Sequence, residues 1–415
     1  MDTTSAPLHI TQDTVLEPRT YDLPGGILID GDDLTLDGNG ALLIGSGRQG
    51  CGVSLSGRQR VTIKNLRVRE YAQGIHADGC SALAVTGCQI TSTAETPANT
   101  IFLDVWNAAG PTSGCAVFLA SCSDSRIEDN DLQHQMSGLV ADSCQRLEVR
   151  RNNASYCSAW GFCLWKTCDS LYEDNIADYC CRYQPRGPRQ GHVGADAAGF
   201  LIITSSSRNV FRRNLARLGG DGFFMAGLSM TLGEVPCNDN LFEENDGSYS
   251  PNIAFESTFC ARNTFRNNAA NHCNYGFWLG FSRDGVIENN QIQFNAQAGI
   301  ATENGIDFKV KGNQFVQNGH GILLWSKYIP EFDRYVPQND TSRDWLIEEN
   351  QFTGNNKAVR IAANQDHGLV PYPVPSGEDA HQFRRPHDHT LRQNVFVSNQ
   401  VTLETIDVEH TDLED

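Results

Sequence analysis

The sequence predicts an all-β chain, a single-stranded parallel β-helix solenoid of about a dozen coils of 22–23 residues with loop insertions. Three observations predict it. An asparagine closes a recurring four-residue phrase, as in "IEDN" ending at Asn130, "VRRN" at Asn152 and "YEDN" at Asn175, 22 and then 23 residues apart. About eight residues later a glycine opens a short apolar strand, such as "GLVA" at Gly138 and "GFCLW" at Gly161. No segment carries the 3.6-residue period of a helix, and the dense Leu-x-x-Leu-x-Leu pattern of a leucine-rich repeat is missing.

Residues 1–30 read as an N-terminal cap, because an open coil edge would recruit strands from other chains. The β-helix then runs over 31–400. Its phrase returns at Asn214, Asn245, Asn268, Asn290, Asn313, Asn350 and Asn394, and its strands at Gly199, Gly222, Gly276 and Gly321. Longer intervals hold insertions at 94–113, 182–197 and 327–343, on the face where solenoids commonly do their work. The insertion 364–389 reads as a cap of the far end and 401–415 as a tail. Like residues on successive coils lie about 4.8 Å apart. Stacked asparagines then bond into a ladder, each amide satisfying its neighbour, so the asparagines are structural.

Fourteen cysteines follow the same logic. Cys180 and Cys181 are adjacent, and no pair of CxxC motifs offers zinc spacing. Cys80, Cys122, Cys144, Cys168 and Cys260 share one phase with Ser206, and Cys157, Cys180 and Cys273 share another. These are read as two stacks of small side chains at turns or in the core.

Acidic residues outnumber basic ones, 50 to 32, for a net charge of −18. A nucleic-acid partner is not expected, because a duplex-binding surface needs a basic excess. No apolar run reaches the roughly 18 residues of a membrane span. The first 30 residues lack the basic start and apolar centre of an export signal. Together with reduced thiols, that favours the cytoplasm over secretion.

The glycine-led strands and asparagine-closed coils resemble the right-handed parallel β-helix superfamily of pectin-lyase-like and NosD-like repeat proteins. The resemblance spans roughly 31–400 and implies the fold. The superfamily holds polysaccharide lyases, glycoside hydrolases, esterases, epimerases, fructotransferases and non-enzymatic periplasmic proteins, so fold does not choose among them. Of the polygalacturonase signatures only Gly319-His320-Gly321 occurs, at an ordinary turn, and the epimerase motif is absent.

Alternation along the strands points Phe162, Leu164, Phe200, Ile202, Phe223 and Met225 inward. Trp165, Leu201, Ile203, Phe224, Phe255, Trp278, Leu323 and Trp325 then face outward. So apolar an outer strip is a sugar-stacking groove, a trimer or other subunit interface, or a floor covered by the insertions. Superfamily enzymes commonly work on this sheet, which implies the groove.

Few carboxylates stand near it. Asp221 and Asp196 precede strands on consecutive coils and are expected to be neighbours. Glu256 falls at a nominally inward position, where a buried carboxylate needs a partner unless the phase is locally off. Two carboxylates across one glycosidic bond suffice for cleavage, one protonating the leaving oxygen and the other activating water or attacking carbon. Asp221 and Asp196 are read in these roles, with Glu256 the substitute for either and His192 a candidate for moving protons. An Asp before a glycine is, against this, commonly a turn residue.

Trp165, Lys166, Phe224, Asn252, Tyr275, Trp278 and Trp325 are read as substrate contacts, with Arg182, Arg186 and Arg189 of the basic insertion. The sequence thus predicts a carbohydrate-active enzyme that cleaves glycosidic linkages of an oligo- or polysaccharide. A lyase or C5-epimerase acting on a uronate is the alternative that the Arg-His insertion favours. A glycan- or protein-binding β-helix without catalysis is the third reading. No metal is assigned, although lone acidic residues beside the groove leave room for Ca²⁺.

Overall fold

The computed structural model describes residues 6–98, 100–106, 114–182, 196–363, 365–366, 370–371 and 384–414. Among them the chain is strand and turn, with a single four-residue helix, Pro330–Asp333. It divides into two compact units, Met1–Gly220 and Asp221–Asp415.

In the first unit a long parallel sheet takes one strand from each coil. It runs Leu8–Ile10, Ile27–Ile29, Cys51–Ser56, Gln73–Asp78, Cys115–Ala120, Ser137–Asp142, Trp160–Trp165 and Ala198–Ile203. A second parallel sheet is built from the residues just before the asparagines, among them Arg126–Glu128, Glu148–Arg150, Leu171–Glu173 and Val210–Arg212. The second unit repeats the plan. Its long sheet runs Asp221–Ala226, Ile253–Thr258, Tyr275–Trp278, Ala298–Glu303, His320–Ser326, Lys357–Ala363 and Val401–Ile406. Two boundaries move. Leu8–Ile10 already pairs with Ile27–Ile29, and Val401–Ile406 and Glu409–Glu414 pair with the strands before them. Coiling therefore begins inside the expected cap and continues through the expected tail.

Each row of like residues has a physical reason. Inward rings stack from coil to coil: Phe162 on Phe200 at 4.8 Å, and Phe223, Phe255 and Phe277 at 4.8 and 5.1 Å. Rings of the second sheet meet them edge-on, as Phe242 meets Phe223 at 5.7 Å. Such stacks bury large apolar areas and add offset-ring attraction. The strand-opening glycines stand where coils touch. A methyl group on Gly161 would lie 2.6 Å from Ala177 Cβ and 2.8 Å from the Gly199 carbonyl oxygen.

The asparagines bond as a ladder. Asn130 Nδ2 donates to Asn152 Oδ1 at 2.9 Å, Asn152 to Asn175 at 3.0 Å and Asn175 to Asn214 at 3.0 Å. In the second unit the same bond links Asn245, Asn268, Asn290, Asn313, Asn350 and Asn394. A further ladder, Asn295 to Asn318, Asn355 and Asn399, was not read from the sequence. The residue before the ladder asparagine adopts positive φ: 58° at Asp129, 52° at Arg151 and 56° at Asp174. Charges alternate there, so Arg151 pairs with Asp129 at 2.7 Å and Arg213 with Asp174 at 2.8 Å. The Arg151 guanidinium beside Asp129 holds that carboxyl below its ordinary range.

The cysteine stacks need one correction. Cys144 N–H donates to Thr167 Oγ1, and Thr167 N–H to Ser206 Oγ. Thr167 therefore holds the stack position expected for Cys168. Burial pushes the Cys88 thiol up to about 11 and the Cys273 thiol to about 12, so both remain protonated and inert.

Candidate functional site

In the first unit the outward aromatic strip is a covered floor. Trp165 is 2% exposed, and its Nε1 donates to the Val105 carbonyl at 2.9 Å. Trp160 packs edge-on against it at 5.7 Å and donates to the Asp196 carbonyl at 2.7 Å. The Asp196 side chain is 0% exposed. Its Oδ2 accepts the Leu103 N–H at 2.7 Å and pairs with the Arg182 guanidinium. Arg182 also donates to the Thr100 and Ile101 carbonyls. Asp196 and Arg182 thus pin the 100–103 part of the first insertion onto the sheet. The expected sugar face of Trp165 lies beneath that insertion. Lys166 is exposed at the corner after its strand, with φ 48°. Arg186, Arg189 and His192 lie outside the described residues.

The second unit brings together most of the other candidates. Register sets Phe224 beside Glu256 and Glu256 beside Trp278. That corrects the phase of this strand. Ala254 occupies the place that glycine holds elsewhere, so Phe255 points inward, fully buried between Phe223 and Phe277. Glu256 points outward and is half-buried. The glycine used to set the alternation is missing from this strand, which misplaced the pair by one residue.

Asp221 belongs to this unit and Asp196 to the other. The carboxyl on which the charge of Asp221 acts is that of Glu256, on the next strand of the sheet. Asp221 is 0% exposed, and its Oδ1 accepts the Ile253 N–H at 3.0 Å. Burial, then the charge of Asp221, push the Glu256 carboxyl well above its ordinary range. Thr258 Oγ1 donates to Glu256 Oε1 at 3.5 Å and opposes that shift. A carboxyl with a raised pKa on a partly open face has the chemistry of a proton donor.

Aromatic rings border it. Tyr275 meets Trp278 edge-on at 4.9 Å, and Trp278 meets Trp325 at 5.7 Å. Tyr275 and Trp325 are buried, whereas Trp278 and Phe224 keep part of their surface open. Asn252 is half-buried, one residue before the strand, and its carbonyl accepts the Tyr275 N–H. Among the described residues no group of three His, Cys, Asp or Glu could hold a metal ion.

Residues 190–376 match the family described as "Periplasmic copper-binding protein (NosD)", and residues 101–250 match "Right handed beta helix region". No curated protein matches in sequence. Among solved structures, an A-module of a mannuronan C-5 epimerase from Azotobacter vinelandii aligns over 97% of this chain and 91% of its own, at 12% identity and TM-score 0.48. A periplasmic alginate epimerase aligns over 94% and 79%, at 11% identity and TM-score 0.48. A DFA-IIIase from Arthrobacter chlorophenolicus aligns over 67% and 70%, at 12% identity and TM-score 0.42. These likenesses are of fold. Its parallel coils, asparagine ladders and glycine-led strands give the chain the right-handed parallel β-helix fold, and the two family matches fall within those coils.

Proposed function

We propose that this chain is a carbohydrate-active enzyme that cleaves glycosidic linkages on the outward face of the second unit's long sheet. The carrying observation is the raised carboxyl of Glu256, half-buried on the strand next to that of the buried Asp221. In this reading Glu256 protonates the leaving oxygen. Asp221 helps keep that proton in place, because its charge opposes ionisation of Glu256. Trp278 and Phe224 offer apolar surface to a sugar ring.

Elimination or epimerisation of a uronate needs a cation for the substrate carboxylate and a base for the C5 proton. Arg182, the described arginine of the basic insertion, is already spent on Asp196, so glycosidic cleavage is the better-supported chemistry. Copper, which one matched family description names, does not fit the donors described: no three-ligand group forms, and burial keeps the Cys88 and Cys273 thiols protonated. No step is routed through a metal.

The test is incubation with mixed oligosaccharides while reducing ends and ultraviolet absorbance are followed. Cleavage releases reducing ends without new absorbance, elimination adds absorbance, and a binding protein does neither. Glu256→Gln should lower turnover about 100-fold or more, the scale of a lost general acid. Full turnover in that variant would refute the assignment.

A further inference from the structure

Glu303 lies outside the residues that sequence reading selected. Register pairs Trp278 with Ala301, so two residues on Gly280 lies beside Glu303, and the Phe281 N–H donates to the Glu303 carbonyl at 2.8 Å. On its other side Gly280 lies beside Thr258, and the Phe259 N–H donates to the Gly280 carbonyl at 3.0 Å. One outward row therefore reads Thr258, Gly280, Glu303 and Trp325.

The glycine puts no side chain into that row, and two carboxyls flank it. A methyl group on Gly280 would lie 3.5 Å from Glu303 Cγ, 3.9 Å from Glu303 Oε1 and 3.6 Å from Trp278 Nε1. Glu303 thus folds back over the glycine. From the opposite side Glu256 leans toward Thr258, whose hydroxyl it meets at 3.5 Å. The Cα atoms of Glu256 and Glu303 stand two strands and two residues apart, roughly 12 Å by strand geometry, and both side chains lean toward the glycine between them. Paired carboxylates of inverting glycosidases stand about 6.5–9.5 Å apart, leaving room for a water. Asp221 is closed to substrate, whereas Glu303 is half-buried and reachable.

We propose that Glu303 is the second catalytic carboxylate, the base that activates water across Gly280 from Glu256, and that Asp221 is a positioning residue acting through Glu256. This rests on the glycosidic reading above. As the bond from the anomeric carbon to the leaving oxygen breaks, Glu256 gives that oxygen its proton. Water bonds to the anomeric carbon, and Glu303 takes the proton water loses. The sum is one water consumed and two sugar ends released. Proton exchange with solvent restores both carboxyls.

Three variants test it: Glu303→Gln, Glu303→Ala and, as reference, Glu256→Gln. Glu303→Gln should lose about 100-fold or more in kcat with little change in KM, and its melting temperature should stay at the parent value. The acidic limb of the pH profile should disappear with it. Azide should restore turnover to Glu303→Ala by entering the vacated space and should appear in a glycosyl azide product. Suppose both Glu303 variants keep kcat within about threefold, a small fraction of a general base's contribution, while Glu256→Gln is inactive. The assignment of Glu303 then falls and the glycosidic reading stands. Full turnover in Glu256→Gln would remove both.

Discussion

At the scale of single residues, the site turns on how a carboxyl keeps its proton. Asp221 is buried and its Oδ1 holds a backbone N–H, a bond that an asparagine oxygen can also accept. Asp221→Asn therefore removes the charge and keeps the acceptor. Without that charge Glu256 loses its proton at lower pH, so the alkaline limb of kcat/KM should shift downward, by about one unit. A pH–rate profile of the variant checks this, and an unmoved limb would show that Asp221 does not act on Glu256. The same physics couples function to stability. Glu256 has a raised pKa in the fold, so the folded state loses stability as pH rises from the ordinary carboxyl value toward the raised one. Glu256→Gln removes that penalty and should melt about 2 °C or more above the parent at neutral pH. Calorimetry at pH 7 decides it.

At the scale of the strand, two glycines on one segment serve different ends. A methyl group on Gly276 would lie 2.6 Å from the Gly299 carbonyl oxygen. Coils stacked about 4.8 Å apart cannot open there without breaking the sheet, so Gly276→Ala should cost about 1–3 kcal/mol. Gly280 would place its methyl in ordinary contact, 3.5–3.9 Å from its neighbours. Gly280→Ala should therefore melt with the parent yet lose activity, because it fills the space between the carboxyls. Paired denaturant titrations and assays separate the two, and equal stability losses would contradict the distinction. The same strands explain what could be read from the chain alone. Asn152, Asn175 and Asn214 announced the coil because every winding repeats their bond. Where a strand lacked its glycine, as at Ala254, the alternation slipped and Glu256 was assigned to the wrong side. Glu303 was passed over because "GIATE" is not an apolar run. No sequence signal marked it: the fourth residue after the glycine is Trp165, Ile203, Ala226 or Trp325 on some coils but Asp78 and Asp142 on others, so an acidic residue there does not stand out. Asp196 was legible as unusual, but the backbone of the insertion it pins was not.

At the scale of the whole molecule, a stack that grows by repetition must end, and here the strand next to the final one, Glu409–Glu414, buries a titratable residue. His389 is 0% exposed in the strand His387–Arg392. It pairs with Thr411 on one side, and register sets Trp345 on the other, itself stacked on Phe308 at 4.6 Å. Burial, then the neighbouring His387, push its imidazole down to about 3, against the pull of Asp388 and the Ser342 backbone. The unfolded chain takes up that proton near about 6.5. Between those values the unfolded state binds a proton that the fold refuses, so stability falls as pH drops, by about 1.4 kcal/mol per unit. Acid-sensitive ion pairs act later. Arg392 holds Glu348 at about 2, below its ordinary 4.5, so that support is lost only below about pH 4.5. His76 and His320 are also lowered by burial, but each keeps some open surface. Among the described residues the largest single share of the loss between pH 6.5 and 5 therefore belongs to His389, about 2 kcal/mol. His389→Phe, which continues the ring stack on Trp345, should flatten the fall in melting temperature over that window. An equally steep fall in the variant would show that His389 does not set the acid limit of this fold.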